Sequence, residues 1–206
     1  MADSIPVTRI EVPMSRINAI RDAVCGVTHL GEGPDASRLA GASDAPALLA
    51  FLSDPAVHAP IYTLPRPLTE ASVEAFITDH IAQRAEGEGL LFVREDGEGG
   101  IVGYTDIQVW PHWAAGELGG ALHPSLHNQG RGTAGAGMSF SWMFRALHLD
   151  LICETASPEN VPTHRLLDGL GFERKGEVTS TRTDGTTRAS LVWEVTRADW
   201  FARHKD

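Results

Sequence analysis

The chain is poor in cysteine. Cys25 and Cys153 lie far apart and match no metal-ligand spacing. That excludes a disulfide framework and points to a reduced, cytoplasmic setting. Long apolar runs are also missing. The longest, APALLAFL, falls far short of the roughly 20 residues that a membrane helix needs. Asp3 comes early, and no basic-then-apolar signal pattern follows it. A membrane is therefore not expected as a partner. Positive charge is scarce: 17 Lys and Arg stand against 27 Asp and Glu, for a formal net charge of −10. Nucleic acid is not expected either, because phosphate binding wants an excess of lysine and arginine. The same balance is compatible with a cationic substrate. The sequence has no repeat and no low-complexity segment. His148 and His164 read as ordinary helix residues, and no histidine spacing suggests a metal.

What is present is an ordinary globular composition. Apolar residues make up 42% and charged residues 21% of the 206 positions, enough for a real core. The length suits one domain with an N-terminal extension, divided at residues 1–35 and 36–206. In the extension, IPVTRIEV (Ile5–Val12) is a candidate strand, and Gly31–Pro34 a turn or linker.

From Ser43 the signals sharpen. Ser43 or Asp44 can cap a helix over APALLAFL that stops at Ser53–Pro55. A loop with two prolines, IYTLPRPL, follows. Thr69 then caps a helix whose Val73, Phe76, Ile77 and Ile81 follow helical spacing. Leu90–Glu95 and Ile101–Trp110 read as a hairpin around DGEGG. A loop with Trp110, His112 and Trp113 leads to a further strand, Gly116–His123. A glycine-rich segment and a helix to about His148 come next. Leu149–Thr155 is a buried strand, and VPTHRLLDGL a short helix that tolerates Pro162 in its first turn. FERKGEVTSTR and TTRASLVWEV form a last hairpin around Asp184–Gly185. Thr196 caps a final turn toward Trp200. Neighbouring strands pair antiparallel, with two helical crossovers in the second half. The fold class is α+β, a mixed α/β sheet rather than a doubly wound one.

The segment HPSLHNQGRGTAGAG sets Gly130, Gly132, Gly135 and Gly137 where a helix should begin. Each interior glycine costs about 0.5–1 kcal/mol relative to alanine. A strand, a glycine-rich loop and a helix start together make an anion site. Unpaired backbone N–H groups point outward, and the helix dipole adds positive character. The stretch is either a pyrophosphate cradle or simply a loop. Two familiar cradles do not match. A nucleotide P-loop ends in Gly-Lys-Ser/Thr, absent here. A dinucleotide fingerprint wants an opening βαβ unit, whereas this loop follows an antiparallel meander.

His123–Phe172 resembles the core of the GNAT superfamily of acyl-CoA-dependent N-acyltransferases, in its RimJ/RimL-like ribosomal-protein acetyltransferase branch. That family's phosphate loop reads Gln/Arg-x-x-Gly-x-Gly/Ala. Two registers fit: Gln129–Ala134, which matches every letter, and His127–Gly132, with His in place of Gln/Arg. The second keeps the family's short gap after Pro124 and places Phe144, Leu147 and Ile152 where apolar residues are wanted, so it is the one adopted. Downstream, Pro158-Glu159-Asn160, Thr163, Arg165-Leu166-Leu167 and Leu170-Gly171-Phe172 are similar to the family's P-x-N-x-x-S-x-R-x-L-x-x-x-G-F run, with Thr163 replacing Ser. GFERKGEV, DG and a late Trp also fit. Ala189 stands where the last hairpin often carries an acidic residue. Weaker likeness reaches back to Ser43, and residues 1–35 are outside it.

The resemblance implies a mostly antiparallel sheet with flanking helices, in which two parallel strands, Gly116–His123 and Leu149–Thr155, splay apart. Their exposed amides would pair with pantetheine much as an added strand would. Acetyl-CoA would then rest on Ala121, Leu122, His127, Asn128, Gln129, Gly130, Arg131, Gly132 and Thr133, with Asn160 and Thr163 at its arm and the thioester beside Leu122. An amine attacks that thioester in a ternary complex. With a pKa of about 10.4 it is mostly protonated at neutral pH, so a base must take its proton. Glu117, in an E-L-G context on the cleft strand, is the first candidate base, or else an exposed strand carboxylate. His123 is the second, or else a residue packed beside Pro124. A backbone N–H would stabilise the oxyanion. Thr163 would give a hydroxyl to the leaving sulfur, or else cap the short helix. The family often uses a tyrosine acid, but Tyr62 and Tyr104 are the only tyrosines. Tyr62, Trp110 and Trp113 either line the acceptor pocket, where cation–π contact suits an amine, or pack as core and lid. The acceptor is a protein N-terminus or a small amine. The alternatives are a different acyl donor, or a silent coenzyme-binding module. Residues 1–35 would add a dimer contact or a pocket wall.

Overall fold

A computed structural model describes residues 5–33, 36–126, 131–181 and 185–204. The chain runs α1 (Met14–Gly26), β1 (His29–Leu30), β2 (Ser37–Leu39), α2 (Ala45–Leu52), α3 (Pro55–His58), α4 (Glu70–Glu86), β3 (Gly89–Glu95), β4 (Ile101–Trp110) and β5 (Ala115–Leu122). It continues with α5 (Arg131–Ala146), β6 (Leu151–Ala156), α6 (Val161–Leu170), β7 (Glu173–Thr181), β8 (Thr187–Thr196) and α7 (Arg197–Arg203). Among the described residues eight strands form one sheet in the order β1-β2-β3-β4-β5-β6-β8-β7. Every neighbouring pair is antiparallel except β5 with β6.

Two apolar layers cover the sheet, and alternation along the strands assigns each residue to one of them. On β3, Leu90 and Phe92 join one core, while Leu91 and Val93 join the other. The first core packs Phe140, Met143 and Phe144 of α5 with Leu167 and Leu170 of α6, Trp193 of β8 and Trp200 of α7. Its rings meet edge-on or tilted, as quadrupoles prefer: Phe140 lies 5.6 Å from Trp200 and 5.0 Å from Phe172. The second core packs Leu48, Phe51 and Leu52 of α2 with Val73 and Ile77 of α4 against Tyr104 of β4. Each such side chain contributes about 1.5–3 kcal/mol by leaving water.

Most local signals from Ser43 onward hold, but Asp44, at the N-cap position of α2, makes no side-chain bond into that helix and instead accepts from Arg38 and the Gly41 N–H. Thr69 caps α4, its hydroxyl accepting from Ser72 N, and Gly87 ends the helix at φ 73°, the left-handed turn that glycine adopts freely. Thr196 caps α7 and Pro162 sits in the first turn of α6. The structure corrects other expectations. Ile5–Val12 is not a strand, and the following residues form α1, which the sequence reading missed. Ile20, Val24, Val27 and Leu30 enter the first core, and β1 pairs with β2, which in turn pairs with β3. On α4, Ile81 is 47% exposed, while His80, on the Val73–Ile77 stripe, is buried.

Candidate active site

The parallel seam between β5 and β6 is short. Ala115 pairs with Leu151 and Gly116 with Ile152, and there the pairing stops. The next β5 amide aimed at the seam, Leu118 N–H, donates 2.8 Å to the Glu154 side chain. His123 N–H donates to Val102 O on β4, so by strand alternation the Gly120 and Leu122 amides face the same way as Leu118. Gly120 is required where the strand bends. Its φ is +138°, and a Cβ there would stand 2.3 Å from the Tyr104 carbonyl oxygen. The expected splay between Gly116–His123 and Leu149–Thr155 is thus present, beginning after Gly116.

α5 starts beyond the parted end. Its first turn, Arg131–Thr133, presents N–H groups that have no partner within the helix, a site for negative charge. Thr133 is exposed. His127, Asn128, Gln129 and Gly130 lie outside the described residues. A row of strand amides ending at a helix start fits a long ligand with amides along its arm and an anionic end.

Glu117 stands at the parting. It pairs across the strands with Gln108, and Gly119 with Asp106. It is half-buried and accepts 2.7 Å from the Thr155 hydroxyl. Burial pushes its pKa up to about 7, and the Asp106 charge adds to this, while Thr155 and the Arg188 charge act the other way. Asp106 is held 2.9 Å from His80 Nε2, and His80 Nδ1 lies 2.8 Å from Phe76 O. Burial would lower the His80 pKa, but the hydrogen bond and charge of Asp106 outweigh it and raise it. Glu154 is 7% exposed. Burial, then the Glu117 charge, raises its pKa well above the usual carboxylate range, against the Leu118 N–H.

The other expected residues are scattered. Tyr62 reaches the last hairpin, donating 2.7 Å to Thr186 O, with the Arg188 guanidinium 4.1 Å from its ring centre. Since Arg188 also acts on Glu117, Tyr62 belongs to this end of the molecule. Trp110 and Trp113 do not. Trp110 pairs with Ala115, at the closed end of the seam, and Trp113 stacks with Arg9 at 4.6 Å. Trp113 thus meets the N-terminal segment, where Val12 N–H donates to His112 O. His123 directly follows β5 and is half-buried, as are Ala121 and Leu122 before it. Asn160 caps α6, accepting 3.3 Å from Thr163 N, so the cap belongs to Asn160 and leaves the half-buried Thr163 hydroxyl for other work.

Sequence reading missed Glu154, Thr155, Asp106 and His80. Two signals were available. A glutamate inside the otherwise apolar LIC strand is rarely buried without a reason. His80 falls three residues after Ile77, on the apolar stripe. Among the described residues there is no cluster of ligands for a metal, and no helix long and apolar enough to cross a membrane.

Comparison with known proteins agrees with this geometry. The family profile described as an acetyltransferase (GNAT) domain matches residues 38–173. An uncharacterized N-acetyltransferase of Bacillus subtilis (strain 168), YnaD, is 25% identical over 108 residues, 52% of this chain. The chain spans 62% of that relative's length. The fold is shared with ribosomal-protein-S5-alanine acetyltransferase from Vibrio fischeri, at TM-score 0.68 and 19% identity over 84% of this chain and 99% of that one. It is shared too with Mycobacterium smegmatis RimJ in complex with CoA-disulfide, at TM-score 0.66 and 23% identity over 79% and 82%.

Proposed function

This chain belongs to the GNAT acetyltransferase family, and from that premise we propose that it moves an acetyl group from acetyl-CoA to a primary amine, a protein N-terminus or a small amine, with both substrates bound at once. The observation that carries this reading is the seam. The ladder stops after two residue pairs, and a carboxyl whose pKa lies at about 7 stands beside the opening.

When bound, acetyl-CoA supplies a thioester, an acyl group already activated for transfer to nitrogen. The first turn of α5 would hold its diphosphate, and the β5 amides from Gly120 onward would pair with its arm. Ala121, Leu122 and Asn160 would border that arm, and Thr163 would place its hydroxyl near the sulfur. Glu117 takes the proton of the attacking amine. A base titrating near neutrality is ionised often enough at pH 7 to accept it and still protonated often enough to give it up. Thr155 holds the Glu117 carboxyl in place through its hydroxyl. Tyr62 and Arg188 frame the side from which the amine arrives. His123, the alternative base, is placed at the strand end rather than at the parting.

The test is release of free coenzyme thiol from acetyl-CoA across classes of amine. Release with at least one class, fastest for the true acceptor, supports the reading. Calorimetric binding of the coenzyme without thiol release from any amine would identify a silent coenzyme-binding module instead.

A further inference from the structure

The seam carries a second carboxyl that the reaction above leaves without a task. Glu117 and Glu154 stand on opposite faces of the opening. Glu117 shares its face with Gly119 and so with Asp106, whose partner His80 belongs to α4. On β6, Ile152 and Ala156 enter the core with Phe140, Met143 and Phe144 of α5. Glu154, between them, faces the same way by the two-residue period. Thr155 turns to the other face, where it meets Glu117. The helix start that suits a diphosphate belongs to α5, on the face of Glu154. An arm running from there along β5 lies on that side, and the amine comes from the α4 side.

Depth in the seam agrees. From Leu122 to Leu118 the strand advances about 13 Å, the length scale of an extended pantetheine. An arm anchored beyond Leu122 thus brings its sulfur toward Leu118, deeper than the position beside Leu122. There the Leu118 N–H holds one oxygen of the Glu154 carboxyl at 2.8 Å. The second oxygen is left to carry a proton.

We propose that Glu154, on the coenzyme side of the parted strands, is the general acid that protonates the departing coenzyme sulfur, opposite Glu117 as base on the amine side. This rests on the acetyltransferase reading. The amine, its ammonium proton already lost to solvent, attacks in the neutral form: its nitrogen bonds to the acyl carbon and the carbon–sulfur bond breaks. One proton leaves the nitrogen for Glu117, and one leaves Glu154 for the sulfur. The products are an amide and a free thiol, with Glu117 protonated and Glu154 ionised. One proton passing from the first to the second restores both. Surroundings suit the assignment. The face of the sheet that Glu154 shares with Ile152 and Ala156 is covered by Phe140, Met143 and Phe144 of α5, and Glu154 pairs across the strands with Trp193 of β8, on which His164 of α6 stacks. Such an apolar site keeps a carboxyl neutral, and two carboxyls whose environments separate them in acidity can divide acid and base roles. Thr163 keeps a hydrogen-bonding role toward the sulfur and is not the proton source.

The decisive variant is Glu154→Gln, which keeps a carbonyl oxygen for Leu118 N–H and removes the acidic proton. Turnover with acetyl-CoA should fall about 100-fold or more. With an acetyl thioester of an acidic aryl thiol, which leaves without a proton, the variant and wild type should differ little. Infrared spectra of the ligand-free protein give a readout apart from activity. In a Glu117→Gln background, which removes the other carboxyl protonated at pH 7, the protonated-carboxyl band should vanish when Glu154→Gln is added, and with Glu154 in place it should shift with coenzyme A but not with desulfo-coenzyme A. Equal loss with both thioesters, no loss with either, or a band indifferent to the sulfur would overturn the role of Glu154 alone. Wild type that releases no thiol with any amine would overturn the acetyltransferase reading and Glu154 with it. Should Glu154→Gln not fold, the wild-type rate across leaving thiols of different pKa decides: a shallow dependence supports an enzyme-supplied proton and a steep one contradicts it.

Discussion

The two ends of the β5–β6 seam differ in what holds them. At the closed end the backbone does the joining: Ala115 meets Leu151, Gly116 meets Ile152, and both sides are dry. Arg9, Val12 and α1 close that end from outside, with Trp113 packed against Arg9. At the open end side chains replace the ladder. Glu154 accepts from the Leu118 amide and Glu117 accepts from the Thr155 hydroxyl. A backbone ladder stabilises and does little chemistry. Carboxyls in its place cost stability in their charged forms and gain acid–base function. The seam thus divides into a structural half and a reactive half within a few residues.

The largest expected effect breaks the reactive half alone. Glu117→Gln should lower thiol release about 100-fold or more while leaving calorimetric coenzyme affinity near the wild-type value. Unchanged turnover would remove Glu117 from the reaction. Next, Ile152→Ala strikes the closed end. Losing this fully buried side chain should cost about 2–5 kcal/mol in denaturant unfolding, with coenzyme affinity of the folded protein little altered.

A pH series sharpens the contrast. Glu117 has a folded pKa of about 7 against 4.5 for the free side chain. It is raised, so its favourable contribution is complete below pH 4.5 and is lost as pH rises through 7. Wild type should lose stability relative to Glu117→Gln across that window, up to about 3 kcal/mol. Turnover should move oppositely, rising to a plateau above pH 7 as Glu117 ionises. Parallel stability curves for the two proteins would contradict the assigned burial. The smallest effect concerns Asn160, which both caps α6 and borders the expected arm. Asn160→Ala should cost about 1 kcal/mol of stability. A fall in coenzyme affinity as well would separate the second role from the first.

Much of this was legible in the residues. Thr69, Pro162 and Thr196 mark helix ends by local chemistry, and the structure uses them so. The splayed pair followed from the family resemblance and appears at the expected strands. What escaped depends on distant partners. α1 carries apolar residues only at Ile17, Ile20 and Val24 along its buried side, a stripe easily taken for a mixed segment. Trp110 and Trp113 looked like pocket aromatics because they border the connection between β4 and β5, but the antiparallel pairing of those strands places that connection at the closed end. Glu154 read as one polar residue in a buried strand. Its importance arises only because β5 stops pairing with β6 opposite it.

Backbone hydrogen exchange with and without coenzyme A tests the divided seam most directly. The account predicts that the ligand slows exchange at Gly120 and Leu122 and in the first turn of α5, while Ala115 and Gly116 exchange as before. Saturating coenzyme that leaves Gly120, Leu122 and the start of α5 unprotected would contradict it.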